Sequence, residues 1–217
     1  MRVYHFVSAQ HGLSDIRQRR LKVATLAELN DPFEFLGVDL RDIKLRHVLQ
    51  EAKENVAATV GLLCFSRNRH NPVLWSHYAA RHSGICLGFE APDDHLHRVV
   101  YSRRRVVLEL EQLKMHAIDK ATVMRFLFTK YSHWRYEAEA RIFVNLRDSV
   151  SENGLYFEPF ADKLRLTTVI VGARSEVTRD ELSDVLGSLA REVKVYKARL
   201  AFRTFRVVRQ NRQGLWQ

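Results

Sequence analysis

The chain has 217 residues, of which 46% are hydrophobic and 28% charged, with nine Gly and four Pro; this excludes a disordered or fibrous protein and fits a single self-sufficient domain. Its 35 Lys and Arg against 25 Asp and Glu leave a net charge of +10, which points to an anionic partner. No apolar run approaches the ~18–20 residues of a membrane helix, the first residues lack a signal-peptide pattern, and two cysteines are too few for a disulfide scaffold, so a cytoplasmic protein with no membrane partner is expected.

In chain order, an apolar-aromatic run predicts a strand over 3–7, a turn at Gly12, and a brief helix capped by Ser14 over 15–20. Thr25 and Glu28 have capping-box spacing, and the turn they start must stop at Asn30-Asp31-Pro32, because the residue before a proline avoids helical angles. A longer helix fits 42–59, with Ile43, Val48, Leu49, Ala52 and Val56 as its buried stripe. Two buried strands, 61–66 and 84–90, flank a helix over 73–80 that has Pro72 in its first turn. Short strands at 99–102 and 106–110 precede a helix over 111–133 facing Leu113, Ile118, Val123, Phe126, Leu127 and Tyr131 inward. Then come a strand at 138–146, a strand at 164–172, a helix from the Thr178 cap to about 190, and one or two strands within 193–208. The irregular mixing of strands and helices, with no Gly-rich phosphate loop, predicts an α+β fold. It would be a single domain over 1–217 with a mixed, largely antiparallel sheet flanked by helices.

Two clusters could carry chemistry. Trp75-Ser76-His77-Tyr78-Ala79 puts Trp75, Tyr78 and Ala79 on one helical face, which serves either as core packing or as a ring platform for a flat ligand. In Glu137-Ala138-Glu139-Ala140-Arg141 an extended backbone aligns two carboxylates and a guanidinium on one face. That face is either the solvated side of a sheet or a carboxylate pair able to stabilise a positive sugar centre and activate a nucleophile. There Arg141 would orient a carboxylate or bind a phosphate. A third set, Asn30-Asp31-Pro32-Phe33-Glu34, reads as turn chemistry. Cys64 and Cys86, set between apolar neighbours, read as small buried hydrophobes, and no metal-ligand spacing occurs. The 191–217 segment holds eight Lys or Arg against one acid, seven of the ten excess charges, with Phe202, Phe205 and Trp216 interleaved. This pattern marks Lys197, Arg199, Arg203, Arg206 and Arg209, with the separate Arg103-Arg104-Arg105 run, as a phosphate-backbone footprint.

Asn-Asp-Pro-Phe-Glu at 30–34, Cys-Phe-Ser at 64–66, Trp-Ser-His-Tyr-Ala at 75–79, Gly-Ile-Cys-Leu-Gly-Phe-Glu at 84–90, Tyr-Glu-x-Glu-x-Arg at 136–141 and Val-Gly-Ala-Arg at 171–174 resemble, in order, a widespread bacterial family of unknown function. More distantly, Val3-Tyr4-His5-Phe6, Cys64-Phe65-Ser66 and Glu137-Ala138-Glu139 are similar to the motif order of the ADP-ribosyltransferases. That resemblance implies NAD as substrate, with Tyr4 and His5 holding its ribose or carboxamide and Ser66 the ribose. It implies further that Trp75 and Tyr78 contact the ring, Arg141 binds cofactor, Glu139 stabilises the oxocarbenium-like transition state and Glu137 prepares the acceptor. Arg67 and Asn68 follow Ser66 where arginine-modifying relatives continue Ser-Thr-Ser, so an arginine acceptor is not implied. The expected activity is transfer of ADP-ribose to a nucleic acid or nucleic-acid-associated target, as a toxin or phage-defence effector, with a protein partner or inhibitor. The alternatives are a metal-independent RNase using His5, His77, Tyr78 and Arg141, and a nucleic-acid-binding module without catalysis.

Overall fold

A computed structural model describes residues 1–34, 37–105, 120–161 and 163–216. In chain order the elements are β1 (Arg2–Val7), α1 (Ala9–Gln18), β2 (Arg20–Val23), α2 (Ile43–Ala57), β3 (Val60–Ser66), α3 (Pro72–Tyr78), β4 (Ile85–Glu90), β5 (His97–Arg98) and β6 (Val100–Ser102). There follow α4 (Lys120–Leu127), β7 (Thr129–Tyr131), β8 (Glu139–Asn145), β9 (Val150–Glu152), β10 (Leu155–Pro159), β11 (Arg165–Val171), α5 (Arg179–Leu186), β12 (Lys194–Leu200) and β13 (Val207–Arg209). Eight strands form the main sheet in the order β13-β12-β11-β4-β1-β3-β8-β5. Its pairs are antiparallel except β11 with β12, which α5 joins as a parallel crossover. The fold is therefore α+β with a large, mostly antiparallel sheet, as the irregular element order predicts.

Side-chain caps fix several helix starts. Asp42 accepts from the Lys44 and Leu45 amides, Asn71 from Val73 ahead of Pro72, and Thr178 from Glu181. The Thr25–Glu28 capping box is present. The first helix differs from expectation: its cap is Ser8, so Gly12 and Ser14 lie inside α1. A Cβ on Gly12 would fall 2.3 Å from Ile85 Cδ1, and this close approach to β4 explains why a residue that reads as a turn sits in a helix. In α2 the buried residues are Leu45 and Leu49, while Ile43 and Val48 face solvent. The segment expected as helix to His133 turns instead into the strand β7 and a 3₁₀ turn over Ser132–Glu137. The strand expected at 106–110, and Leu113 and Ile118 of that helix, lie outside the described residues.

One sheet face carries a continuous core built from Val3, Leu63, Phe65, Ile85, Leu87, Phe89, Val169 and α5. The opposite face carries two separate apolar clusters. One joins Tyr4, Phe6, Trp75, Cys86, Ile170 and Tyr196; the other joins Leu26, Leu45, Leu49, Leu62, Phe126 and Leu127. The seam between them is where the site lies. No helix among the described residues is long and apolar enough to cross a membrane.

Candidate functional site

The sheet opens at its centre. β1 pairs with β4 along its whole length and β3 pairs likewise with β8, but β1 and β3 share a single register position, Tyr4 opposite Ser66. In the wedge, His5 Nδ1 lies 3.1 Å from the Cys64 carbonyl oxygen. A carbonyl can only accept, so the ring proton sits on Nδ1 and Nε2 presents a lone pair. Burial lowers the His5 pKa and keeps the ring neutral. A cavity of about 220 Å³ fills the wedge, with Tyr4, His5 and Phe6 from β1, Cys64 to Ser66 from β3 and Tyr78 from α3 around it.

The cavity floor is a buried charge cluster. Lys130 Nζ lies 2.7 Å from Glu137 and 3.2 Å from Glu139, donating a hydrogen bond to each, and forms an ion pair with Glu34 at 3.2 Å. Arg141 Nη1 and Nη2 clamp Glu34 at 3.0 and 2.7 Å. Its Nε and Nη2 clamp Glu139 at 2.7 and 3.1 Å, and Nη1 also donates to the Leu127 carbonyl at 2.6 Å. All five guanidinium donors are thus used. Three carboxylates against two cations leave one negative charge in excess when every group is ionised.

The two glutamates arrive on different elements. Glu137 ends the 3₁₀ turn, Ala138 takes a left-handed conformation at φ 46°, and Glu139 starts β8. The turn is held by the Ser66 hydroxyl, which donates to the Glu137 carbonyl, and by the Tyr101 hydroxyl, which accepts from the Glu139 amide at 2.8 Å. Tyr78 donates to the Glu137 carboxylate and accepts from the Asn30 side-chain amide.

Environment drives their protonation apart. Burial raises the Glu137 pKa above the usual carboxylate value, and its bonds from Lys130 and Tyr78 do not fully offset this. Burial acts on Glu139 too, but Arg141 and Lys130 outweigh it and hold that carboxyl below its usual value. For Lys130, burial alone would favour the neutral amine, yet the surrounding carboxylates raise its pKa. Burial and the Glu139 charge push the Cys64 thiol up, so it stays protonated and is a poor nucleophile.

Of the residues expected here from sequence, Tyr4, His5, Ser66, Tyr78, Glu137, Glu139 and Arg141 all line this one cavity. Three roles change. Trp75 is fully buried with its Nε1 bonded to the Arg69 carbonyl at 2.8 Å, and it lies under a neighbouring pocket instead. Arg141 has no donor left for a phosphate, and the Ser66 hydroxyl is spent on the Glu137 turn. His77 does not line the cavity; it bonds the Tyr136 hydroxyl at 3.1 Å on the surface, which leaves the RNase reading without a histidine pair. The expected basic footprint is divided. Lys197, Arg199, Arg203, Arg206 and Arg209 lie on β12, β13 and their connection, at one sheet edge. Arg103, Arg104 and Arg105 follow β6 and line a pocket that shares Lys130 with the acidic cavity.

Sequence reasoning missed Glu34, Lys130 and Asn30. Asp31 does make the expected turn, accepting from the Phe33 amide at 2.9 Å, but the same turn delivers Asn30 to Tyr78 and Glu34 to Arg141. A buried acid next to an aromatic in a turn motif was the available signal for Glu34; Lys130 carried none. Among the described residues no group of three or more His, Cys, Asp or Glu is placed to hold a metal ion. Compared with known protein families, with curated sequences and with solved structures, the chain matches none of them.

Proposed function

We propose that the acidic cavity transfers ADP-ribose from NAD to a nucleic acid or a nucleic-acid-associated target, the chemistry expected of a toxin or phage-defence effector. The observation that carries this reading is the pair Glu137 and Glu139, two carboxylates in one cavity with pKa values driven in opposite directions, which is how acid–base roles are divided. The nicotinamide ring of NAD is a cation, and the excess negative charge and aromatic lining suit it. His5 Nε2, as a lone-pair acceptor, suits the carboxamide N–H.

In this mechanism the bond between C1′ and the nicotinamide nitrogen breaks with its electron pair going to the ring, so neutral nicotinamide leaves. The oxocarbenium-like charge on the ribose is stabilised by Glu139, which stays ionised. The acceptor forms the new bond to C1′ and gives its proton to Glu137. Lys130 and Tyr78 hold the Glu137 carboxylate, and Asn30 holds the tyrosine.

The test is nicotinamide release and label transfer from adenine-labelled NAD, with nucleic acid and cell extract as acceptors, for the wild type, Glu137→Gln and Glu139→Gln. Turnover lost in both variants, with folding retained, supports the reading. Absence of turnover in the wild type, or turnover unchanged in both variants, overturns it and leaves the cluster as a structural element of a binding module.

A further inference from the structure

A second pair of cavities lies on the far side of α3, around the edge strands β12 and β13. One, of about 150 Å³, is lined by Arg69, Lys194 and Arg209 with His70 and Tyr196. The other, of about 120 Å³, is lined by Arg179, Lys197, Arg209 and Arg212 beside Trp216. They share Arg209 and Tyr196, and neither is lined by an Asp or Glu.

Among the described residues, the cations of these two cavities lack the carboxylate partners found elsewhere in the molecule. Arg2, Arg20, Arg41, Arg165 and Arg141 each pair with a carboxylate. None of the six cations around β12 and β13 forms an ion pair among the described residues. Arg69 and Arg209 both act electrostatically on the Tyr196 hydroxyl, which has no hydrogen-bond partner among the described residues. Like charges gathered in concave sites without counter-charges are costly unless an anion joins them. Arg69 also donates to the Tyr4 hydroxyl, so this basic site touches the wall of the acidic cavity.

The β12–β13 connection adds an apolar feature. Phe202 and Phe205 are 91% and 97% exposed, and the Arg199 guanidinium sits 4.5 Å over the Phe202 ring. Two bare rings beside cations are a stacking platform, and stacking on a ring needs a base face that is not already stacked in a duplex.

We infer that the β12–β13 edge binds single-stranded nucleic acid, the two cavities around Arg209 seating consecutive backbone phosphates and Phe202 and Phe205 stacking on bases. This inference rests on the acceptor half of the function proposed above and names where that acceptor is held. Arg69 and Arg179 lie outside the basic 191–217 run read from the sequence; the fold brings them beside Lys194 and Arg212 of that run.

The experiment is fluorescence anisotropy of the full chain with labelled oligothymidylate and oligouridylate across a salt series. The comparison probes are the corresponding duplex, inorganic pyrophosphate as competitor, and phosphatidylglycerol vesicles. Arg69→Gln with Arg209→Gln should weaken binding and reduce the salt slope by about 0.7 for each phosphate that is no longer neutralised. Since Arg69 also bonds Tyr4, Lys194→Gln with Arg212→Gln, both at exposed positions, gives the same readout without disturbing that bond. Phe202→Ala with Phe205→Ala should weaken binding at least fivefold with the salt slope unchanged. Glu137→Gln should leave oligonucleotide affinity intact even if it abolishes turnover, which separates failure of this site from failure of the catalytic reading. An unchanged slope in both charge variants, an equal effect from Arg17→Gln with Arg147→Gln on other surfaces, or binding to vesicles but not to oligonucleotide would overturn the inference.

Discussion

Replacing Arg141 by leucine removes five donors from a site buried from solvent. Glu34 loses a two-point clamp and keeps only Lys130 at 3.2 Å, Glu139 likewise keeps Lys130 at 3.2 Å, and the Leu127 carbonyl loses its donor. Burying the guanidinium has its own cost, which the variant recovers, but two carboxylates and a carbonyl are left under-partnered in low dielectric. Breaking a buried pair in this way costs about 3–5 kcal/mol. For a domain of this size that is a fall of about 6–20 °C in Tm. The assay is urea and thermal unfolding followed by circular dichroism at several pH values. The Glu139 pKa is lowered in the fold, so its stabilising contribution is present above the usual carboxylate pKa and disappears as pH falls through the lowered value. Without Arg141 that contribution is gone, so the gap between wild type and variant narrows as the medium is acidified. Glu34→Gln, Glu139→Gln and Arg141→Met together should fold with near-wild-type stability, because no buried charge is then left unpaired. A loss under about 1 kcal/mol for Arg141→Leu, or a gap that does not narrow in acid, would refute the claim that this cluster is desolvated and held by charge pairing.

Three further outcomes are expected. Nicotinamide release should fall as pH drops through the raised Glu137 value, because the base must be ionised, and Glu137→Gln should lose that limb and about 10²–10⁴-fold in rate; steady-state rates against pH test both. Asp15 is pushed by burial up to about 7, above its unfolded value, so the fold retains a proton there and loses stability as pH rises from about 4 to 7. Asp15→Asn should therefore stabilise the protein at pH 8, by about 1–2 kcal/mol after allowing for partial solvent access, and much less at pH 4; urea midpoints at the two values measure it. A Cβ at Gly84 would lie 2.2 Å from the Val7 carbonyl oxygen and 2.9 Å from the Ala79 carbonyl carbon. Neither backbone atom can retreat, so Gly84→Ala should cost about 3 kcal/mol in thermal melting, whereas Gly214→Ala, with nothing within 4 Å, should be neutral.

Much of the scaffold was legible because its signals are local. β1, β3, β4 and β11 are short apolar runs of strand length, Pro72 marks the first turn of α3, and the Thr178 end announces itself by a side chain that bonds a nearby amide. Misreadings arose where tertiary packing overrode a local preference. Gly12 reads as a turn but sits in α1 because β4 lies too close for a side chain, and the 129–131 stretch pairs with β6 rather than extending a helix. The hairpin of β9 and β10 around Asn153 and Gly154 carried a recognisable turn pair that the pattern reading passed over.

Sequence alone determined the α+β class, the largely antiparallel sheet and the segregation of positive charge toward the 191–217 segment, since periodicity, capping and charge counts are properties of neighbours in the chain. Tertiary structure decided what the charges are for. Glu34 lies far along the chain from Lys130 and Glu139, and Trp75 and Tyr78 share a helix yet face different cavities. Only the parting of β1 from β3 creates a space in which three buried carboxylates and two cations must satisfy one another, and within that shared burial it is the Arg141 clamp, made to Glu139 and not to Glu137, that drives their pKa values apart.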